Sequence, residues 1–305
     1  MINKISNVKL ILGLVLLGLV YLATTYFDNT KSEELDKQLV SIDTSKVTSI
    51  TIVTSEETVK LERENQKWSV RLNTGQMTPA ASSKVNSFLS QINGLQPDRL
   101  AAKEQSKWVD YQVDSTGTEL QIHEGDLLTL HMVIGQSGST GYLRLADESE
   151  VYASDNFGGL NNSARINHYR DNTFVKMETD SIQSLAFKYN GDSSFQIIRE
   201  SGNWQFEDGS LADSIQVANY LQKLELKYND NFANQDGSSL GHTLAEIVIN
   251  YKNQPELVIK AYTDAADSVV YQSTANPSAF FNDKVLGEDY FVGKAAFTAA
   301  NPEIE

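Results

Sequence analysis

The chain has no cysteine among its 305 residues. That absence removes disulfides, thiolate nucleophiles, cysteine-ligated zinc and a lipid-bearing N-terminal cysteine together, and leaves stability to packing. Histidine is scarce as well, with only His123, His131, His168 and His242. Basic charge is short: 25 Lys+Arg stand against 40 Asp+Glu for a net charge of -15. Such a balance opposes binding to nucleic-acid phosphates or anionic lipid headgroups and reads first as a solubilising surface. Tryptophan occurs three times, and two of the three close the same phrase, "VKLERENQKW" at 59–68 and "FQIIRESGNW" at 195–204.

What is present begins with a long apolar run. From Leu10 to Phe27 the sequence "LILGLVLLGLVYLATTYF" carries no charge, with Lys4 and Lys9 before it and Asp28, Glu33, Glu34 and Asp36 after it. At about 1.5 Å per residue the run reaches about 27 Å, enough for a thin hydrocarbon core, and the lysines favour a cytoplasmic N-terminus. Residues 1–27 are therefore expected to be a single-pass anchor in the inner (cytoplasmic) membrane of a bacterial cell, the body facing the periplasm or the outside. A cleaved secretory signal is the competing reading, although "LATTYF" offers no small-x-small site. Residues 28–45, with Leu35, Leu39 and Ile42 at helical spacing, read as a partly helical spacer.

Beyond Lys46 short alternating runs take over. "VTSITIV" (47–53), "TVKLERE" (58–64) and "KWSVRL" (67–72) predict a three-strand meander. Pro79 then introduces a helix with Val85, Phe88, Leu89 and Ile92 on one face, ended by Gly94 and Pro97. Four more strands follow, "TELQIHE" (118–124), "LLTLHMVIG" (127–135), "YLRLAD" (142–147) and "VYAS" (151–154). The second half repeats the order: strands at 181–189, 194–200 and 203–208, a helix at 212–226, then "AEIVINY", "ELVIKAY" and "SVVYQST". Ile50 and Ile52 align with Leu185 and Phe187, Val59, Leu61, Arg63, Glu64 and Trp68 with Phe195, Ile197, Arg199, Glu200 and Trp204, and Leu120 and Ile122 with Ile247 and Ile249. The spacing changes only where loops fall, as a duplication with loop deletions requires. The expected fold is α+β and β-rich: a tandem duplication of a β-β-β-α-β-β-β unit behind one N-terminal transmembrane helix. Its expected parts are an anchor (1–27), a spacer (28–45), a first repeat (46–154), a connector (155–180), a second repeat (181–298) and a tail (299–305).

The repeated phrase thus reads as architecture. Trp68 and Trp204 are expected to anchor equivalent cores, and Arg63 and Arg199, on the apolar face of their strands, to lay their stems along the core rim and stack on the indole.

No catalytic or metal signature appears. With a three-residue loop at 124–126, His131 would sit opposite Glu119, roughly 13 Å along the strand from His123, too far for a shared ion. "DNFANQDGSS" (230–239) fails as a calcium loop because Phe232 takes the first ligand position. "GQSGSTG" (135–141) lacks the Gly two places after the Ser and reads as a hairpin connection. Asp264 with Asp267 and Glu207 with Asp208 are neighbours of the kind that 40 acidic residues produce by chance. No enzyme activity, cofactor or metal is expected.

Together the two-fold array and the connector "NHYRDNTFVKMETDSIQSLAF" (167–187) resemble the bacterial family called domain of unknown function 4340. Tyr169, Arg170, Asp171, Phe174, Ile182, Ser184 and Leu185 occupy its connector pattern, and the likeness spans about 46–293. "SKWVDYQV" and "SSLGHTL" depart from the family's loop pattern. The resemblance implies an envelope-side accessory subunit of a gliding-type ATP-binding-cassette transport system and supplies no functional residues. The leading expectation is a non-enzymatic membrane-anchored scaffold that contacts a transporter or another envelope protein. The alternative is an extracytoplasmic glycan- or peptide-binding module with Tyr228, Tyr251, Tyr262 and Tyr271 as groove aromatics.

Overall fold

A computed structural model describes residues 16–18, 38–137, 140–154, 164–233, 240–264 and 267–298. Leu16 to Gly18 are helical, and the rest of the expected membrane span lies outside the described residues, as does the tail at 299–305. Among the described residues no helix is long and apolar enough to cross a membrane. The fold is α+β and β-rich, and the chain divides into two compact units, Met1–Gln66 with Ser83–Ile166 and Lys67–Ser82 with Asn167–Glu305.

The first unit opens with β1 (Val47–Val53) and β2 (Thr58–Glu64). The chain then enters the second unit for the hairpin of β3 (Lys67–Arg71) and β4 (Met77–Pro79). It returns for α1 (Ser82–Asn93), β5 (Arg99–Ala102), β6 (Thr118–Glu124), β7 (Leu127–Ser137), β8 (Thr140–Leu145) and β9 (Val151–Ser154). Within this unit the strands run in the order β2-β1-β6-β7-β8-β9-β5, all antiparallel. Alternation places one residue set on each face. Ile50 stands between Leu61 and Ile122, and Ile52 between Val59 and Leu120, so the buried face is written as apolar rows across three strands. Val85, Phe88, Leu89 and Ile92 of α1 are all buried, the i, i+3, i+4, i+7 stripe that the sequence shows.

The second unit continues with α2 (Ile166–Tyr169), β10 (Thr173–Lys176), β11 (Ile182–Tyr189), β12 (Phe195–Glu200) and β13 (Asn203–Phe206). Then come α3 (Ser214–Leu224), β14 (Leu226–Tyr228), β15 (Thr243–Tyr251), β16 (Leu257–Thr263), β17 (Val269–Ser273) and α4 (Lys284–Tyr290). Its main sheet has the order β13-β12-β11-β15-β16-β17, and β10 pairs with β14 in a separate ribbon. Leu185 stands between Ile197 and Ile249, and Phe187 between Phe195 and Ile247. The core is aromatic, with Phe187 stacked on Phe195 at 4.5 Å and Phe297 edge-on to Tyr220 at 5.1 Å. Asp213 caps α3 by accepting hydrogen bonds from the amides of Ile215 and Gln216. The β3–β4 hairpin is sewn to this unit by Ala81 N–H to the Tyr169 carbonyl (2.8 Å), Asp171 N–H to the Pro79 carbonyl (2.9 Å) and Thr78 Oγ1 to Ser278 Oγ (3.1 Å).

Three sequence expectations change. The described end of the 28–45 spacer is not helical: Leu39, Val40 and Ile42 are buried in irregular chain, and Ile42 N–H donates to Asn93 Oδ1 at the end of α1 (3.1 Å). Four short strands, β4, β5, β10 and β14, and the helices α2 and α4 had no periodic signal long enough to find. The β6–β7 turn has two residues, Gly125 and Asp126, not three, and a bulge at Ile122/His123 shifts the ladder so that His131 faces Gln121 rather than Glu119.

Candidate functional site

Trp204 lies on β13 directly opposite Arg199 on β12. The indole is buried and the guanidinium exposed, its carbon 5.9 Å from the ring centroid, and Arg199 Nη1 donates to the Asp180 carbonyl (3.1 Å). Both residues line a shallow cleft of about 380 Å³ with Thr179, Asp180, Gln222 and Glu225. Trp68 is likewise buried on β3. Arg63 Nη1 donates to the carbonyls of Thr44 (3.3 Å) and Ser45 (3.1 Å), and Nη2 to Gln66. Each arginine therefore reaches a backbone carbonyl 19 residues upstream and holds the chain entering its first strand.

The four tyrosines do not converge. Tyr228 is exposed on β14, and Tyr251 ends β15, where burial pushes its hydroxyl up to about 12. Tyr271 is buried in the main core against Phe291, whereas Tyr262 packs on the opposite face with Val270 and Phe280. On adjacent strands Ala261 faces Tyr271 and Tyr262 faces Val270, so alternation separates the two rings.

A different polar cluster lies on the first unit's sheet. Register aligns Val53, Glu119, Val133 and Arg144 in one row across β1, β6, β7 and β8. With His131 these residues floor a cleft of about 360 Å³ walled by Thr54, Ser55, Asp114, Ser115 and Gly117. Arg144 is only 7% exposed. Its guanidinium sits 3.7 Å from the centroid of Trp108, while Nε donates to the Val113 carbonyl (3.1 Å) and Nη1 to those of Leu145 (3.1 Å) and Ala146 (2.9 Å). Among the described residues it has no carboxylate partner, and desolvation lowers its proton affinity. Across the row Glu119 Oε1 accepts from Gln121 Nε2 (2.8 Å) and meets His131 Nε2 (2.7 Å), contacts that hold its carboxyl below the usual range, Gln121 contributing most. Asp114 Oδ1 accepts from the Thr116 amide and hydroxyl.

Two glycines fit the wall to the floor. A Cβ on Gly117 would lie 2.4 Å from the Gln112 carbonyl oxygen, and one on Gly135 2.1 Å from that of Tyr111. The sequence offered one signal for this site, a charge on the alternating strand "YLRLAD", where Arg144 shares the face of Tyr142. Its meaning depended on the 105–117 loop, which carries no periodicity. No group of three or more His, Asp or Glu residues that could hold a metal ion occurs among the described residues.

A family model described as "Domain of unknown function (DUF4340)" matches residues 68–242, more than half of the chain. The chain belongs to the DUF4340 family. The DUF4340 match is narrower than the 46–293 likeness read from the sequence, but it contains Trp68, Arg144, the 167–187 connector and Trp204. No curated protein and no solved structure gives a significant match.

Proposed function

We propose that this DUF4340 protein is a membrane-anchored, envelope-facing, non-enzymatic scaffold, an accessory component of a gliding-type ATP-binding-cassette transport system. The observation that carries the reading is how soon the folded body begins after the apolar run. Leu39, Val40 and Ile42 are already packed into the first unit, so eleven residues, 28–38, separate Phe27 from the first of them. Fully extended they span at most about 40 Å. A body tethered so closely to an anchor at 10–27 is held within reach of membrane-embedded partners. The transporter assignment rests on the family resemblance.

Within this reading the two sheets descend from one duplicated unit. Supporting this, the order β2-β1-β6-β7-β8 corresponds to β12-β11-β15-β16-β17. The aligned residues also pair alike: Ile50 with Leu61 and Ile122, as Leu185 with Ile197 and Ile249. The equal 19-residue reach of Arg63 and Arg199 is a third agreement.

The experiment is in-cell crosslinking followed by purification through the C-terminal body. Recovery with a membrane-embedded permease is the expected result, and recovery solely as an uncrosslinked monomer would remove the scaffold reading. Fractionation with carbonate washing tests the anchor separately, since the chain should remain in the membrane pellet.

A further inference from the structure

We propose that the Arg144 cleft binds a small zwitterion of the amino-acid or dipeptide type, with the ligand carboxylate on Arg144 and its ammonium on the side of Glu119 and Asp114. The inference is independent of the scaffold reading and concerns a site within the first unit alone.

Arg144 carries the argument. A guanidinium buried to this degree normally faces a carboxylate, because the charge is costly to desolvate unpaired. Here three backbone carbonyls and the face of Trp108 orient it, and Nη2 has no acceptor among the described residues. Orientation without neutralisation leaves a fixed cation lining a cleft, and a planar guanidinium fits a carboxylate through paired hydrogen bonds.

The opposite pole decides against a simple anion. Glu119 and Asp114 line the same cleft, and each uses one carboxylate oxygen in the hydrogen bonds above, leaving the other uncommitted among the described residues. A phosphate-like ligand would be repelled by two carboxylates, and a plain cation would meet Arg144. A molecule carrying both charges satisfies both ends. Arg144 and Glu119 are two strands apart with Val133 between them, roughly 10 Å at the backbone. Side chains extending from both ends leave the span of an amino acid or dipeptide, and Val133 gives its short apolar body a surface. A cleft of about 360 Å³ is of that scale.

The test is calorimetric titration of the full chain in detergent with the twenty amino acids and glycylglycine, then with N-acetylated and C-amidated forms of the best binder. At least one zwitterion should bind, and blocking either terminus should weaken it at least about tenfold, about 1.4 kcal/mol. Ser115→Trp, which fills the mouth from an exposed position, should abolish binding without lowering the melting temperature. Arg144→Gln should weaken binding at least about tenfold, and if that variant does not fold, Ser115→Trp decides. Absence of binding across the panel, equal binding of blocked forms, or full binding by Ser115→Trp would each overturn the proposal.

Discussion

Arg199 and Trp204 face one another across the β12–β13 hairpin, yet one is exposed and the other buried. The indole packs into a core with Phe195, Phe206, Val217 and Leu221, whereas the guanidinium holds the Asp180 carbonyl at the rim. Trp204→Ala should therefore cost about 3–5 kcal/mol. Arg199→Ala should cost about 0.5–1 kcal/mol, the value of an exposed cation–π contact. Urea unfolding followed by circular dichroism separates the two, and equal losses would contradict the division of roles.

Glu246 on β15 lies between Lys188 on β11 and Lys260 on β16, with Nζ atoms 2.6 Å and 3.2 Å from its carboxylate. The Lys188 hydrogen bond, then that of Lys260, hold its proton affinity below the ordinary carboxylate value. Because the folded-state value is the lower one, the stabilisation is complete above the unfolded value of about 4.3 and fades as pH falls through the folded value. Glu246→Gln should destabilise by about 0.5–1 kcal/mol near neutrality, and its urea midpoint should converge with the wild type on acidification.

Gly135 has no room for a side chain, since a Cβ would strike the backbone oxygens of Tyr111 and Gln112 at 2.1 and 2.6 Å. Gly135→Ala must push the 111–117 loop from the sheet, at about 1–3 kcal/mol. Thermal melts should show the loss, and Trp108 fluorescence should shift red in a Trp68→Phe, Trp204→Phe background.

Ile42 ties the start of the folded body to α1 and is buried. Ile42→Ala should cost about 2–4 kcal/mol. Limited proteolysis should then cut near residues 38–45 in the variant at protease levels that leave the wild type intact.

The strands most legible in the sequence are those half-buried in a sheet: β1, β2 and β6 follow their alternating runs from end to end. The stripes of α1 and α3 likewise bury the four residues that each periodicity selects. Alternation and helical period are local consequences of which side meets the core, so they can be read locally. The two-residue turn and bulge of β6–β7 were not legible, because Leu127 and Leu128 are both exposed and give the register no buried face to fix it. Short β4, β5, β10 and β14 are held by distant partners rather than by their own pattern. The Arg144 cleft was illegible for the same reason: four strands supply its floor and two irregular segments its wall.

The β3–β4 hairpin also sets a clock. Thr78 bonds Ser278, 200 residues later, and at about 5–20 residues per second a ribosome needs about 10–40 s to make the intervening chain. Throughout that interval Thr78, destined for burial, lacks the Ser278 hydroxyl that it meets in the folded unit. The fastening of the early hairpin is thus among the late events in a newborn chain's folding, and a chain cut short before Ser278 would be expected to leave it open.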